Sequence, residues 1–190
     1  GLPMMRAMLL EFPGDRTADY LDRQYMLGDS LLVAPIFNER GQSAYYLPQG
    51  QWTHFLTGEK VQGGTWRDET YDYFGLPLFA KENSIIPVGA TNDRPEYDYS
   101  EGVAFHVFEL QDGASASVRL PDLQGADKLQ ASASRSGGTI AFEASDSTGW
   151  SVVLRGVSSV AGVTGGTFET SEQGVVVLPE SGATKLSIKL

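Results

Sequence analysis

Carboxylates are the only reactive side chains held in abundance here, with 24 Asp and Glu against two histidines and no cysteine. Five of them, Glu11, Asp15, Asp19, Asp22 and Asp29, crowd the stretch EFPGDRTADYLDRQYMLGD. Two facing carboxylates can cleave a glycosidic bond, about 5–5.5 Å apart for retention or about 6.5–9.5 Å for inversion. The local pattern gives these residues simpler work. Asp15 or Thr17 can cap a helix over ADYLDRQYML, Asp19 favours the positive end of its dipole, and Asp22 faces water or Arg23. The structural reading wins, and no catalytic residue is assigned.

Other chemistries find less support. His54 and His106 fall in strand-like segments with no ligand-type partner at metal-binding spacing, so each reads as a packed or surface imidazole. There is no G-x-S-x-G elbow for a serine nucleophile, and no glycine-rich phosphate loop. The absence of cysteine excludes disulfides and thiolate catalysis. It fits a reducing compartment, and a cytoplasmic setting is the expectation. No metal or cofactor is expected. A formal charge of −10 disfavours nucleic acid and anionic membrane as partners. No apolar run is long enough for a helical membrane span. Trp52, Trp66 and Trp150 could stack on sugar rings, but Trp52 and Trp150 lie in alternating strands where core packing is the usual fate.

The elements that would carry these residues are mostly strands. PMMRAMLLEF is apolar on both faces and predicts a strand covered on both sides. In ADYLDRQYML, Leu21 and Tyr25 stand one helical turn apart, and Gly28 sits where a helix would end in the left-handed conformation. No parallel neighbours follow, so residues 1–34 read as the tail of an α/β domain. From Leu31 the pattern turns to short β segments: LLVAPIF, AYYLP, QWTHFL, YDYF, LPLFA and SIIPVG. TNDRPEYDYSEG is polar and turn-rich, which places a domain boundary near Arg94-Pro95. Beyond it, VAFHVFEL, SASVRL, LQASAS, TIAFEA, WSVVLR, GVVVLP and TKLSIKL have the spacing of an antiparallel sandwich.

These stretches together carry a family resemblance. GLPMMRAMLLEFPGD, DYLDRQYMLGDSLLVAPIF, YYLPQGQWTHFLTGE and LPLFAKENSIIPVG resemble the C-terminal part of glycoside hydrolase family 31, in its bacterial α-xylosidase branch. EGVAFHVFELQDG and SEQGVVV are similar to that branch's distal domain. The resemblance implies a mainly β chain of two consecutive antiparallel β-sandwich domains, preceded by the last strand and helix of a (β/α)8 barrel. Residues 1–34 would be the barrel remnant, 35–94 the proximal sandwich and 95–190 the distal one. It also implies a retaining mechanism with one aspartate as nucleophile and another as acid/base, both on barrel strands. A barrel takes about 250 residues, so both aspartates would lie upstream. The nearest local match, WRDETY around Asp68, has Tyr71 where a glutamate is needed, and lies beyond the barrel. The expected role is therefore a non-catalytic region that packs against the catalytic barrel of an enzyme releasing α-linked xylosyl residues. The chain alone is expected to be inactive. Arg6 and Glu11 are the candidate substrate-side residues, because barrel active sites occupy the C-terminal ends of the strands. Two alternatives stay open: a carbohydrate-binding module, and a fragment complementing a separate barrel chain through an unpaired strand at residues 3–12. Self-association is left open as well.

Overall fold

A computed structural model describes residues 3–122, 124–147 and 149–190. The chain divides into two compact units, Gly1–Glu82 and Asn83–Leu190. It is almost entirely β.

The first unit contains strands β1 (Met5–Ala7), β2 (Tyr25–Leu27), β3 (Leu31–Val33), β4 (Gln42–Leu47), β5 (Gln51–His54), β6 (Lys60–Gln62), β7 (Thr65–Thr70) and β8 (Leu78–Lys81). The four-residue helix α1 (Met8–Glu11) and a 3-10 turn (Arg16–Tyr20) interrupt the series. Six strands form one sheet in the order β1-β2-β3-β8-β5-β6, and β4 pairs with β7 in a second. The core between them gathers Met8, Met26, Leu32, Tyr45, Leu47, Trp52 and Phe79. Burying such side chains is worth roughly 1.5–3 kcal/mol each. Indole and backbone are satisfied together, since Trp52 Nε1 donates to the Pro48 carbonyl at 2.8 Å.

The opening of this unit departs from expectation in three ways. PMMRAMLLEF is not one long strand: only Met5–Ala7 is extended, and Met8–Glu11 closes a helical turn. ADYLDRQYML is not an α-helix. Asp15 does cap, accepting from the Thr17 amide at 2.9 Å, but the helix is a 3-10 turn that stops at Tyr20. The reason lies in tertiary structure. The buried amide of Gln24 brackets the Tyr46 backbone, donating to its carbonyl and accepting from its N–H, both at 2.8 Å. Those two bonds hold the chain extended into β2, where periodicity alone suggested a helix. Gly28, at φ 63°, turns a hairpin between β2 and β3 and does not end a helix. Thirdly, β1 is not orphaned, because it pairs antiparallel with β2. Within the described residues, segment 5–33 therefore supplies three strands of the first unit's sheet, and no separate barrel element is seen there.

The second unit contains β9 (Ser84–Val88), β10 (Ala104–Phe108), β11 (Ser115–Pro121), β12 (Asp127–Ser136), β13 (Thr139–Ala144), β14 (Ser151–Arg155), β15 (Gly162–Thr164), β16 (Gly166–Ser171), β17 (Gly174–Pro179) and β18 (Lys185–Lys189). Two five-stranded sheets, β16-β17-β14-β10-β9 and β11-β12-β13-β18-β15, face each other. Among the described residues the ladders of this unit are antiparallel except that of β10 with β14, which is parallel. Alternation sets the faces: Leu129, Ala131 and Ala133 of β12 are buried while Lys128, Gln130, Ser132 and Ser134 face outward. At the centre, Phe142 lies 5.6 Å from Phe105 and 5.3 Å from Trp150, centroid to centroid. Trp150 Nε1 donates to the Asp146 carbonyl.

The division after Glu82 falls ahead of Arg94-Pro95, where the polar composition drew a boundary. SIIPV forms β9 and pairs with β10, so it belongs to the second unit. The turn-rich segment 91–102 is a connection inside that unit and not a linker between units.

Candidate functional site

Arg6 and Glu11 do come together. Arg6 lies on β1 and Glu11 ends α1, and the intervening helical turn folds the glutamate back toward the strand. Arg6 Nη1 donates to Glu11 Oε1 at 3.1 Å, and Nε donates to the Pro3 carbonyl at 2.9 Å. A third residue, Asp29, which the sequence did not connect with these two, completes the cluster. Asp29, in the β2–β3 turn, meets Arg6 Nη1 at 2.6 Å. Hairpin geometry brings it there, since β1 pairs with β2 and the Gly28 amide donates to the Met4 carbonyl. The hydrogen bond with Glu11, followed by that with Asp29, raises the Arg6 pKa above its ordinary value.

This arrangement is a brace. Both carboxylates spend an oxygen on one guanidinium, which occupies the place between them where a sugar carbon would have to sit. Arg6 instead ties the first strand to α1 and to the β2–β3 turn. Asp15, also in the stretch, takes its place at the cap. Asp68 lies on β7, paired opposite Ala44.

A second polar cluster lies outside the residues that the sequence singled out. Arg67, Glu69 and Tyr71 alternate along β7 and just past its end, and the ladder with β4 brings Tyr45 to the same place. Glu69 Oε2 accepts from the Tyr45 hydroxyl at 2.5 Å and the Tyr71 hydroxyl at 2.6 Å. Its Oε1 accepts from Arg67 Nε at 2.6 Å, and Arg67 also reaches Glu59 at 3.1 Å. Burial opposes the charge on Glu69, but hydrogen bonds from both phenols and from Arg67 outweigh it, and the pKa is lowered. Burial, then the bond to Glu69, pushes Tyr71 up to about 12 and raises Tyr45 as well. A carboxylate so engaged holds strands together. It has no lone pair free for attack. The i, i+2, i+4 pattern of Arg67, Glu69 and Tyr71 was the one sequence signal for it.

The histidines occupy strands, as expected. His54 on β5 stacks with Tyr71 at 6.0 Å and meets Phe79 edge-on at 4.9 Å. Its Nδ1 accepts from the Thr57 amide at 3.2 Å, and burial lowers its pKa. His106 on β10 lies 3.2 Å from Arg155 Nη1, and Arg155 in turn sits over the Phe108 ring. Burial and then the arginine's charge hold His106 down at about 4. Among the described residues, no group of three or more His, Cys, Asp or Glu could hold a metal ion. Trp52 and Trp150 are buried in the two cores, whereas Trp66 is exposed against Tyr46.

Beside the Arg6 brace, the first unit presents apolar side chains to solvent. Met4, Met5, Leu9 and Leu10 are 71%, 58%, 46% and 65% exposed. Pro3 and Ala7 are exposed with them, and Met8 alone of residues 3–10 is fully buried in the core. The segment is thus apolar on both faces, as its sequence suggests, but only the side bearing Met8 is covered within this unit.

Comparison with known proteins accounts for most of the chain. Residues 1–86 match the glycosyl hydrolase family 31 C-terminal domain, and residues 98–190 match the C-terminal domain of α-xylosidase YicI. The α-xylosidase XylQ of Lactiplantibacillus pentosus is 38% identical over 156 residues, which is 80% of this chain and 20% of that protein. An α-xylosidase of Emericella nidulans is 37% identical over 111 residues, covering 54% of this chain and 14% of its own length. The chain therefore spans about a fifth or less of the curated relatives it matches. Among solved structures, a family 31 dextranase of Flavobacterium johnsoniae superposes on all of this chain and 29% of its own, with a TM-score of 0.80 at 23% identity. That likeness concerns the fold. With the paired sandwiches and two adjoining family matches in hand, the chain belongs to glycoside hydrolase family 31, as a C-terminal portion of the α-xylosidase type.

Proposed function

We propose that this chain is the structural C-terminal region of a retaining α-xylosidase-like enzyme, and that its first unit packs against an upstream catalytic barrel. The observation that carries the reading is the outward apolar face of Met4, Met5, Leu9 and Leu10, beside carboxylates already bound to Arg6. Contiguous exposed apolar residues rimmed by charge mark a protein contact. The two carboxylate clusters favour bracing over catalysis, because each acid is held by a guanidinium or by phenols. In this reading both catalytic aspartates belong to the barrel, and Arg6 and Glu11 stabilise its edge without touching substrate. The identity to XylQ supports α-linked xylosyl residues as what the whole enzyme releases. The cysteine-free composition supports a cytoplasmic setting. The experiment is a p-nitrophenyl α-xyloside assay on the purified 190-residue chain. No turnover above buffer is expected, and activity that follows the chain through successive purification steps would overturn the reading.

A further inference from the structure

The second unit holds a small cavity of about 200 Å³ lined by Tyr97, Asp98, Tyr99, Asp122, Gln124 and Lys128. Its two rings form a corner: Tyr97 and Tyr99 stand 4.9 Å apart with planes at 79°. Both are fixed from behind. The Tyr99 hydroxyl donates to the Pro95 carbonyl at 2.7 Å. The Tyr97 hydroxyl occupies a notch at Gly89, where a Cβ would lie only 1.7 Å from it. A side chain at position 89 would push that ring out of place.

The polar wall is equally built. Asp98 Oδ1 accepts from the Ser100 amide at 3.1 Å and the Ser100 hydroxyl at 2.6 Å, and its other oxygen pairs with Lys128. Asp122 Oδ1 accepts from the Gln124 and Ala126 amides at 2.9 and 2.8 Å, which sets the turn carrying Gln124. An ammonium has three donors, and Asp98 engages one of Lys128's. The carboxamide of Gln124 is exposed and can both donate and accept.

A ligand for this corner needs a flat face of C–H groups for the rings and several hydroxyls for the wall. Charge narrows the class further. Two carboxylates against one lysine, on a chain of net charge −10, do not favour an anion. The cavity has room for one ring and not for a chain of them. We infer that this corner is a binding site for a single neutral pyranose, separate from any catalytic centre. The inference does not depend on the first unit's packing against a barrel, and its test reads only the second unit.

The test is an amide-resolved NMR titration of the whole 190-residue chain with methyl α-D-xylopyranoside, alongside xylitol, which has hydroxyls but no ring. Saturable shifts are expected at residues 97–100 and 122–128, with a millimolar Kd and no matching response to xylitol. Tyr99→Ala removes one face of the corner and should weaken binding about tenfold. Tyr99→Phe keeps the face and should bind within about twofold of the parent chain. Gly89→Ala substitutes no lining residue but displaces the Tyr97 ring, and a comparable loss is expected. Lys128→Met, on the opposite wall, carries the same test if Tyr99→Ala does not fold. Absence of saturable shifts, an equal response to xylitol, shifts confined to other residues, or folded variants with unchanged affinity would each overturn the site.

Discussion

The two units solve the same problem with different material. Among the described residues, the second gathers twenty buried ones into a continuous core of aliphatic and aromatic side chains, and its large apolar residues at the surface are Tyr99, Phe168 and Leu178. The first gathers ten into its continuous core and displays another ten at the surface, including Met4, Met5, Leu9, Leu10, Tyr73 and Phe74. It compensates with polar joints: Gln24 on the Tyr46 backbone, Glu69 beneath two phenols, and Arg6 between two acids. A domain that finishes its core internally can afford a polar exterior. One that keeps its apolar residues outside is shaped for contact with something else. The family match fits this contrast, since the chain is a minor part of each longer relative.

Substitutions can break the comparison at its strongest point first. Phe142→Ala removes the ring between Phe105 and Trp150, leaving a cavity in the second core. It should cost about 3–5 kcal/mol, read as a lowered denaturation midpoint by Trp150 fluorescence. Next comes His106, whose pKa is lowered in the folded state to about 4 from an ordinary value of 6.5. Between those values the unfolded chain binds the proton and the folded chain does not. Stability is then complete above about pH 6.5 and declines as pH falls through 4, by up to about 3 kcal/mol. Denaturation midpoints measured across that window should slope for the parent chain and slope less for His106→Gln, which leaves the contribution of buried His54 in place.

The polar joints of the first unit carry smaller effects. Glu69→Gln replaces an acceptor of Arg67 and two phenols with a group that is half donor. A loss of about 1–3 kcal/mol is expected, measured by urea denaturation. Leu10→Lys should change stability least, within about 0.5 kcal/mol, because the side chain is already in water. Its readout is solubility, which should rise if Leu10 belongs to an uncovered contact face. Unchanged solubility would weaken the contrast drawn between the two exteriors.

These regions were also unequally legible in the sequence. In β12 and β13 polar and apolar residues alternate because one face meets a core and the other does not, so period two shows through. Near the start that rule has nothing to act on. Met4, Met5, Leu9 and Leu10 are apolar although exposed, so PMMRAMLLEF looked covered on both faces when only one is. The helix read over ADYLDRQYML fell to Gln24, whose partner Tyr46 is 22 residues away and invisible to local periodicity. Arg6 and Glu11 stood out in the sequence as substrate-side candidates, whereas their mutual hydrogen bond appears only in the fold. Asp29 and Tyr45 join their clusters only through strand register, which composition does not encode.

The four methionines allow the central claim to be measured directly. Met4 and Met5 are exposed, while Met8 and Met26 are buried. Peroxide oxidation followed by mass spectrometry should modify Met4 and Met5 rapidly in the isolated chain and leave Met8 and Met26 slow. With the same chain joined behind a family 31 catalytic barrel, Met4 and Met5 should slow by about tenfold or more as their face is covered. Oxidation of those two at an unchanged rate, in a fusion that is folded and active, would contradict the account.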